Sequence, residues 1–407
     1  MSTESATLQT LSGPVGEPDE QVIAHAPSTD RGRRALMTWS AGLVYSAITI
    51  AVGFVATPLL LRYLGPERLG AARSAGEWFS YVLLADLGLS GTIALLLSRA
   101  QPGGPARVWS FARFGIRLQT LSLLALVPAS LVLAWCMPWL IRVPPELRNE
   151  LRLASLLSVA GMLAYPFSVH RILLEVSQRG YLVNLGLTGH SLIWTGLGLL
   201  LAWAGWGLIG QSVASVAAGL AFAGFSVVAA RIAVGRLRPP PATVPLRDLF
   251  RDAWPISVNN LARRLMLSSD MILVGLLLGA SAVTVLFVTQ RLIVLASGQI
   301  NSIANASWPG LAEMRRTGEQ ATFERRVCEV IRLIIGLNLA VAGAAAAINP
   351  HFVRLWVGKD LYGGDLLTVA TVLAGVAAGI SSLMTLLMDF SGDARQRLLP
   401  APIAGTC

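Results

Sequence analysis

The chain has 407 residues, of which 54% are hydrophobic and only 13% charged, with a formal net charge of +10. Soluble domains average about 25% charged residues, so an ordinary soluble domain is excluded. Nucleic acid is excluded as the reason for the basic excess, because the arginines sit in short segments between apolar blocks, a pattern of membrane orientation rather than of phosphate tracking.

In chain order, residues 1–35 are polar and end in "DRGRR". They read as a disordered cytoplasmic N-terminus without the basic-then-apolar order of a signal peptide. Ten apolar spans follow, near 36–61, 71–98, 114–137, 153–174, 181–203, 207–230, 254–278, 283–308, 327–349 and 366–388. Each is close to the roughly 20–25 residues that cross a hydrocarbon core of about 30 Å. The expected fold class is an all-α polytopic membrane protein of two parallel-repeat helical bundles. Residues 36–230 form the first lobe with six helices, and 231–253 a Pro-rich, basic cytoplasmic hinge. Residues 254–388 form the second lobe with about four helices, and 389–407 a non-membrane tail. Of the 32 basic residues, seven lie in spans, 18 fall on the side of the N-terminus and seven on the other side. By the positive-inside rule this predicts a cytoplasmic N-terminus in a cell inner membrane.

The repeat is read from three matches. "MPWLIR" (137–142) resembles "NPHFVR" (349–354), "ILLEVS" (172–177) resembles "LLMDFS" (386–391), and Gly65 in "RYLGPERLG" corresponds to Gly279 in "LLLGASAVT". The offsets are 212, 214 and 214, and each helix retains its direction, so the repeat axis lies along the membrane normal. On this offset, partners of spans five and six would begin near residue 395, where only "RQRLLPAPIAGTC" remains. Either that last pair is dispensable, or the second lobe is truncated, which is the favoured expectation.

Cys136, Cys328 and Cys407 show no CxxC spacing, and His25, His170, His190 and His351 are scattered. No metal site, disulfide framework or cofactor is indicated. There is no P-loop, and an enzyme is not expected.

Ionisable residues within spans usually face a bundle interior or an aqueous cavity. Arg73, Arg117, Arg171 and Arg332 lie where they can snorkel to an interface. Arg263 and Arg264 lie nine or ten residues into span seven, about 14 Å deep at the helical rise. Asn259, Asn260, Arg263, Arg264, Leu267 and Asp270 share one face by helical spacing, and Gln290, Arg291, Gln299, Asn301 and Asn305 add polar groups on span eight. A polar cavity lined by spans seven and eight is expected. Two readings stand: Asp270 neutralises Arg263 or Arg291 and the charges only join helices, or it offsets one arginine while the remaining charge attracts an anion. A guanidinium suits the second, because it stays charged and matches phosphate oxygens bidentately. The expected substrate-binding residues are therefore Arg263, Arg264, Asp270, Arg291, Asn260 and Asn259. Asp86, in "LLADLGLSG", is the candidate for ion coupling, against a local cap beside Gly88 and Gly91.

The stretch "RYLGPERLGAARSAGEWFSYVLLADLGLSG", above all Tyr63-Leu64-Gly65-Pro66-Glu67 and Asp86-Leu87-Gly88-Leu89, resembles the polysaccharide-transporter branch of the multidrug/oligosaccharidyl-lipid/polysaccharide (MOP) exporters. "SSDMILVGLLLGASAVTVLFVTQRL" and "SWPGLAEMRRTGE" resemble matching segments of that family. The resemblance runs from about residue 36 to 390. It implies two six-helix bundles forming a V, and a flippase for undecaprenyl-pyrophosphate-linked oligosaccharide such as O-antigen, capsule or exopolysaccharide units. Its partners would be the lipid-linked glycan, membrane lipids and other glycan-assembly membrane proteins. The alternatives are a drug/cation antiporter of the same superfamily, for which more acidic than basic cavity residues are expected, and an inactive truncated paralogue.

Overall fold

The computed structural model describes residues 28–84, 86, 88–235, 237–316 and 320–391. The expectations for the first 27 residues and for the tail beyond 391 lie outside the described residues, as do those for the side chains of Arg263, Leu267, Asn301 and Asn305.

The described residues are helical throughout and contain no strand. In a bilayer every backbone N–H and C=O must be satisfied within its own segment, which a helix does and a lone strand does not. Twelve α-helices are described: α1 (Ser28–Leu84), α2 (Leu89–Ala100), α3 (Gly104–Leu140), α4 (Pro145–Val159), α5 (Ser168–Val176), α6 (Gly180–Trp203), α7 (Gly207–Val234), α8 (Leu246–Ser268), α9 (Asp270–Leu277), α10 (Ala280–Arg316), α11 (Gln320–Val357) and α12 (Gly364–Ser391). α1 begins at Ser28, ahead of the expected first span.

Eight described helical segments are long and apolar enough to cross a membrane, against the ten spans read from the sequence: the first two expected spans meet in one segment, and the seventh is not among the eight. α1 runs 57 residues, far more than one crossing needs, and breaks at Gly65, whose φ of 77° and ψ of 167° suit only glycine. The chain reverses there. Gly53 before the break and Arg73 after it both sit at the depth of Phe287 and Arg291 on α10. The second crossing is shared between the end of α1 and α2, with Gly88 (φ 72°) at the α2 N-cap. The fourth is α4, a 3-10 stretch at Ala160–Phe167, and α5. Pro166 lies in that stretch and has no N–H to continue an α-helical ladder. The seventh expected span falls on α8 and α9.

The repeat is visible as reciprocal packing. Pro66 and Gly70 stand 214 positions before Ala280 and Thr284. Thr284 Oγ1 donates to the Pro66 carbonyl at 2.7 Å, and Gly70 packs directly on the Ala280 carbonyl. Each half thus offers the same two positions to the other, as a two-fold relation requires. The two glycine breaks match as well, Gly279 having φ 98° beside Gly65. So do the third helices of the halves, α3 and α11, of 37 and 38 residues, with Pro138 and Pro350 near their ends.

Further contacts join the halves. The Arg142 amide donates to Gly275 O at 3.2 Å, and the Arg142 carbonyl accepts from the Ala280 amide at 3.1 Å. Trp356 Nε1 donates to Phe54 O at 2.8 Å. The Pro-rich connector between α7 and α8 lies against α3: Ala242 N donates to Ser110 O at 3.0 Å, Ser110 Oγ to Pro240 O at 2.6 Å, and Arg113 Nη1 to Arg238 O at 3.3 Å.

Candidate functional site

A cavity of about 620 Å³ opens inside the first half of the chain. Its walls are α1, α4 with the 3-10 stretch and α5, α6 and α7; among the described residues, Arg291 of α10 is the only lining side chain from the second half. Of the expected substrate-binding residues with described side chains, Arg291 lines this cavity, whereas Asn259, Asn260, Arg264 and Asp270 are not in its described lining.

Three arginines line the cavity, Arg73, Arg171 and Arg291, together with eleven serines and threonines and no carboxylate among the described residues. Arg73 and Arg291 approach one ring, Phe287, their guanidinium carbons 4.4 and 5.6 Å from its centroid. Arg73 also lies 5.6 Å from the centroid of Trp194 on α6. The Nε of each of these two arginines is buried with no hydrogen-bond partner. Gly53 makes room for Arg291, because a Cβ there would meet its Nη2 at 2.5 Å. Aromatic faces attract a guanidinium without neutralising its charge, so the pair keeps its positive field toward the cavity. Arg171 is different: its Nε donates to Glu175 Oε1 at 2.9 Å, one turn along α5.

Arg264 is held by the first half rather than by Asp270. Its Nη2 lies 2.7 Å from Glu77 Oε2 and also donates to Ser80 Oγ. The Tyr81 hydroxyl donates to the Arg264 carbonyl at 3.0 Å, and its ring faces the guanidinium at 5.9 Å. Ser80 lines the cavity, so this cluster touches the cavity wall through one of its members. Asp270 is exposed, accepts its neighbouring Met271 amide at 2.9 Å at the start of α9, and makes no ion pair among the described residues. The sequence offered Arg263 or Arg291 as partners for Asp270 and none for Arg264, to which the fold supplies Glu77 from 187 positions away.

Asp86 sits behind the cavity wall. Its carboxylate accepts from Gly88 N at 2.8 Å, Ser90 N at 3.4 Å, Ser90 Oγ at 2.9 Å and Tyr165 OH at 2.8 Å. Gln119, fully buried, donates to Ser90 Oγ at 3.3 Å and accepts from Ser168 Oγ at 3.1 Å. Tyr165 and Ser168 face the cavity. Asp86, two residues before the α2 N-cap Gly88, holds the backbone amides at the start of α2 and is tied to the wall through a tyrosine. His170 packs on Trp109 and His190 on Trp194 and Phe222.

The residues missed by sequence reading are Arg73, Arg171, Glu77 and Tyr165. For the first the signal was available: Arg73 and Glu77 stand four apart in an otherwise apolar stretch, which at helical spacing places opposite charges on one face.

Solved structures share this arrangement of helices. The inward closed conformation of the lipid II flippase MurJ matches with a TM-score of 0.63 at 15% identity, covering 90% of this chain and 85% of that one. A MATE in complex with MaL6 matches at 0.58 and 17% identity, covering 89% and 84%. An inward-facing multidrug resistance MATE family transporter of the MOP superfamily matches at 0.56 and 16% identity, covering 90% and 96%. The fold is therefore shared with these transporters, in line with the sequence resemblance. No curated protein matches the sequence. The family model described as "Polysaccharide biosynthesis protein" matches residues 38–315, and the chain belongs to that family.

Proposed function

We propose that the protein is a flippase that carries undecaprenyl-pyrophosphate-linked oligosaccharide across the cytoplasmic membrane by alternating access, with its N-terminus in the cytoplasm. The observation that carries this is the convergence of Arg73 and Arg291, one from each half, on Phe287 in a cavity whose described lining has no acid. A fixed positive pair in a cavity walled by low-dielectric protein selects an anion, and paired guanidiniums match the oxygens of a pyrophosphate. Family membership supports a glycan as the cargo. The same cavity disfavours a cationic drug, for which carboxylates would be the natural counter-charge. Because one arginine belongs to each half, separating the halves would loosen the grip on the anion, which suits release on the far side.

The test is genetic and chemical. Arg291→Ala should cause the lipid-linked unit to accumulate in the inner leaflet and surface glycan to fall, at unchanged protein level. Normal surface glycan together with new drug sensitivity would reject the reading in favour of a drug antiporter.

A further inference from the structure

The cavity reaches well beyond the two arginines, into the bundle of the first half. Along α7 the lining positions Gln211, Ser212, Ser215 and Ser226 recur on one helical face. At the helical rise they cover about 22 Å, most of a hydrocarbon core. Ser155 and Ser158 of α4 stand opposite, Ser158 Oγ reaching Ser212 Oγ at 3.0 Å. Small residues alone are ordinary in helix packing. Ser155 is not explained that way. It is 2% exposed, lines the cavity, and its buried hydroxyl has no partner. Thr49, on the α1 wall, likewise leaves its Oγ1 buried and unpaired. Buried polar groups are nearly always satisfied, and these two belong to residues that border the space a ligand would fill.

The chemistry of that space is specific. Hydroxyls both donate and accept, so a wall of them is complementary to another surface of hydroxyls. Trp194, Phe222 and Tyr165 add aromatic faces to the same lining, against which the C–H face of a pyranose ring packs. A charged ligand body would find no counter-charge along this wall. The volume suits a ligand of drug size, in bulk roughly a di- or trisaccharide.

We infer that the sugar portion of the carried lipid lies inside the bundle of the first half, along the α4–α7 hydroxyl wall, while its pyrophosphate sits at Arg73 and Arg291. This rests on the pyrophosphate reading above and assigns the glycan to one half of the molecule rather than to the space between the halves. The wall sets specificity for an uncharged, hydroxyl-rich glycan.

The test is equilibrium binding to the full chain in lipid nanodiscs with two probes: bare undecaprenyl pyrophosphate, and the same lipid bearing a neutral trisaccharide. The wild type should bind the glycan-bearing probe about tenfold tighter or more, the scale of a few hydrogen bonds. Ser215, which is exposed to the cavity, can be changed to leucine without disturbing buried packing. Ser215→Leu should lose that increment and leave binding of the bare carrier within about twofold. Equal affinity of the wild type for both probes, or an equal loss of both in Ser215→Leu, would overturn the inference while leaving the pyrophosphate reading intact. Binding of neither probe by the wild type would overturn both. The wild-type comparison needs no substitution, so it decides the matter even if the variant fails to fold.

Discussion

Arg264 and Glu77 meet at 2.7 Å across the boundary between α8 and α1, each side chain no more than a third exposed. The pair fastens the second half to α1 beside the cavity, with Ser80 accepting from Arg264 and donating to Glu77, and Tyr81 against the guanidinium. Glu77 is also one turn from Arg73, so it compensates the one arginine that does not face the cavity and stands near one that does.

Removing only one member of this pair leaves an uncompensated charge at membrane depth. Glu77→Gln or Arg264→Leu alone should lower stability by about 1–3 kcal/mol, a range reduced from that of fully buried pairs because both side chains keep some solvent access. The double variant should cost less than the sum of the two. Thermal unfolding of the four proteins in detergent gives the coupling directly; strictly additive losses would show that the pair contributes nothing as a pair.

Replacing Arg73 or Arg291 by lysine tests geometry apart from charge. Lysine keeps the positive charge but loses the planar fork and most of the stacking on Phe287. Arg291→Lys should retain partial binding of undecaprenyl pyrophosphate, whereas Arg291→Ala should lose roughly tenfold or more. Titration in nanodiscs separates the three. Equal binding by the lysine and alanine variants would mean that charge alone contributes little.

Gly70 and Gly189 make opposite predictions for the same substitution. A Cβ at Gly70 would collide with the Ala280 carbonyl, which is backbone and cannot swing aside. Gly70→Ala should destabilise by about 2 kcal/mol or more through forced separation of the halves. Gly189 has nothing within 4 Å of its would-be Cβ, so Gly189→Ala should be neutral or gain up to about 1 kcal/mol from helix propensity. Melting temperatures of the two variants, side by side, provide the check.

At Asp86 the four donors converge on two oxygens. Asp86→Asn turns one acceptor oxygen into an amide donor facing other donors, and should cost about 1–3 kcal/mol. Tyr165→Phe removes one donor of the four and should cost about 1 kcal/mol. If Asp86→Asn unfolds normally but transport no longer responds to an imposed ion gradient, coupling rather than capping is its main role.

Much of the fold was legible because the constraints are local. Apolar blocks mark crossings, and Gly65 and Gly279 carry a backbone conformation that other residues avoid. The repeat could be read from a few residues at one offset, and its meaning appeared only when Pro66 met Thr284 and Gly70 met Ala280. The site was less legible. Arg291 was recognised from its position within a span. Arg73 was read as a residue able to reach an interface, because counting along a span does not show that Phe287 and Trp194 arrive beside it from distant segments. Arg264 had no partner visible within its own span, because Glu77 comes from helix α1, 187 positions away.

The connector between the halves also sets how far they can travel. Its last bond to α3 is made by Ala242, and α8 starts at Leu246. Only residues 243–245 remain unattached, and three residues reach about 10 Å when fully drawn out. The chain between the bundles is thus a short leash rather than a flexible tether. While it stays stitched to Ser110, a rearrangement that draws the start of α8 farther from α3 than those residues reach must first undo the stitches, which makes Ser110 and Arg113 the natural place to shorten or lengthen the stroke.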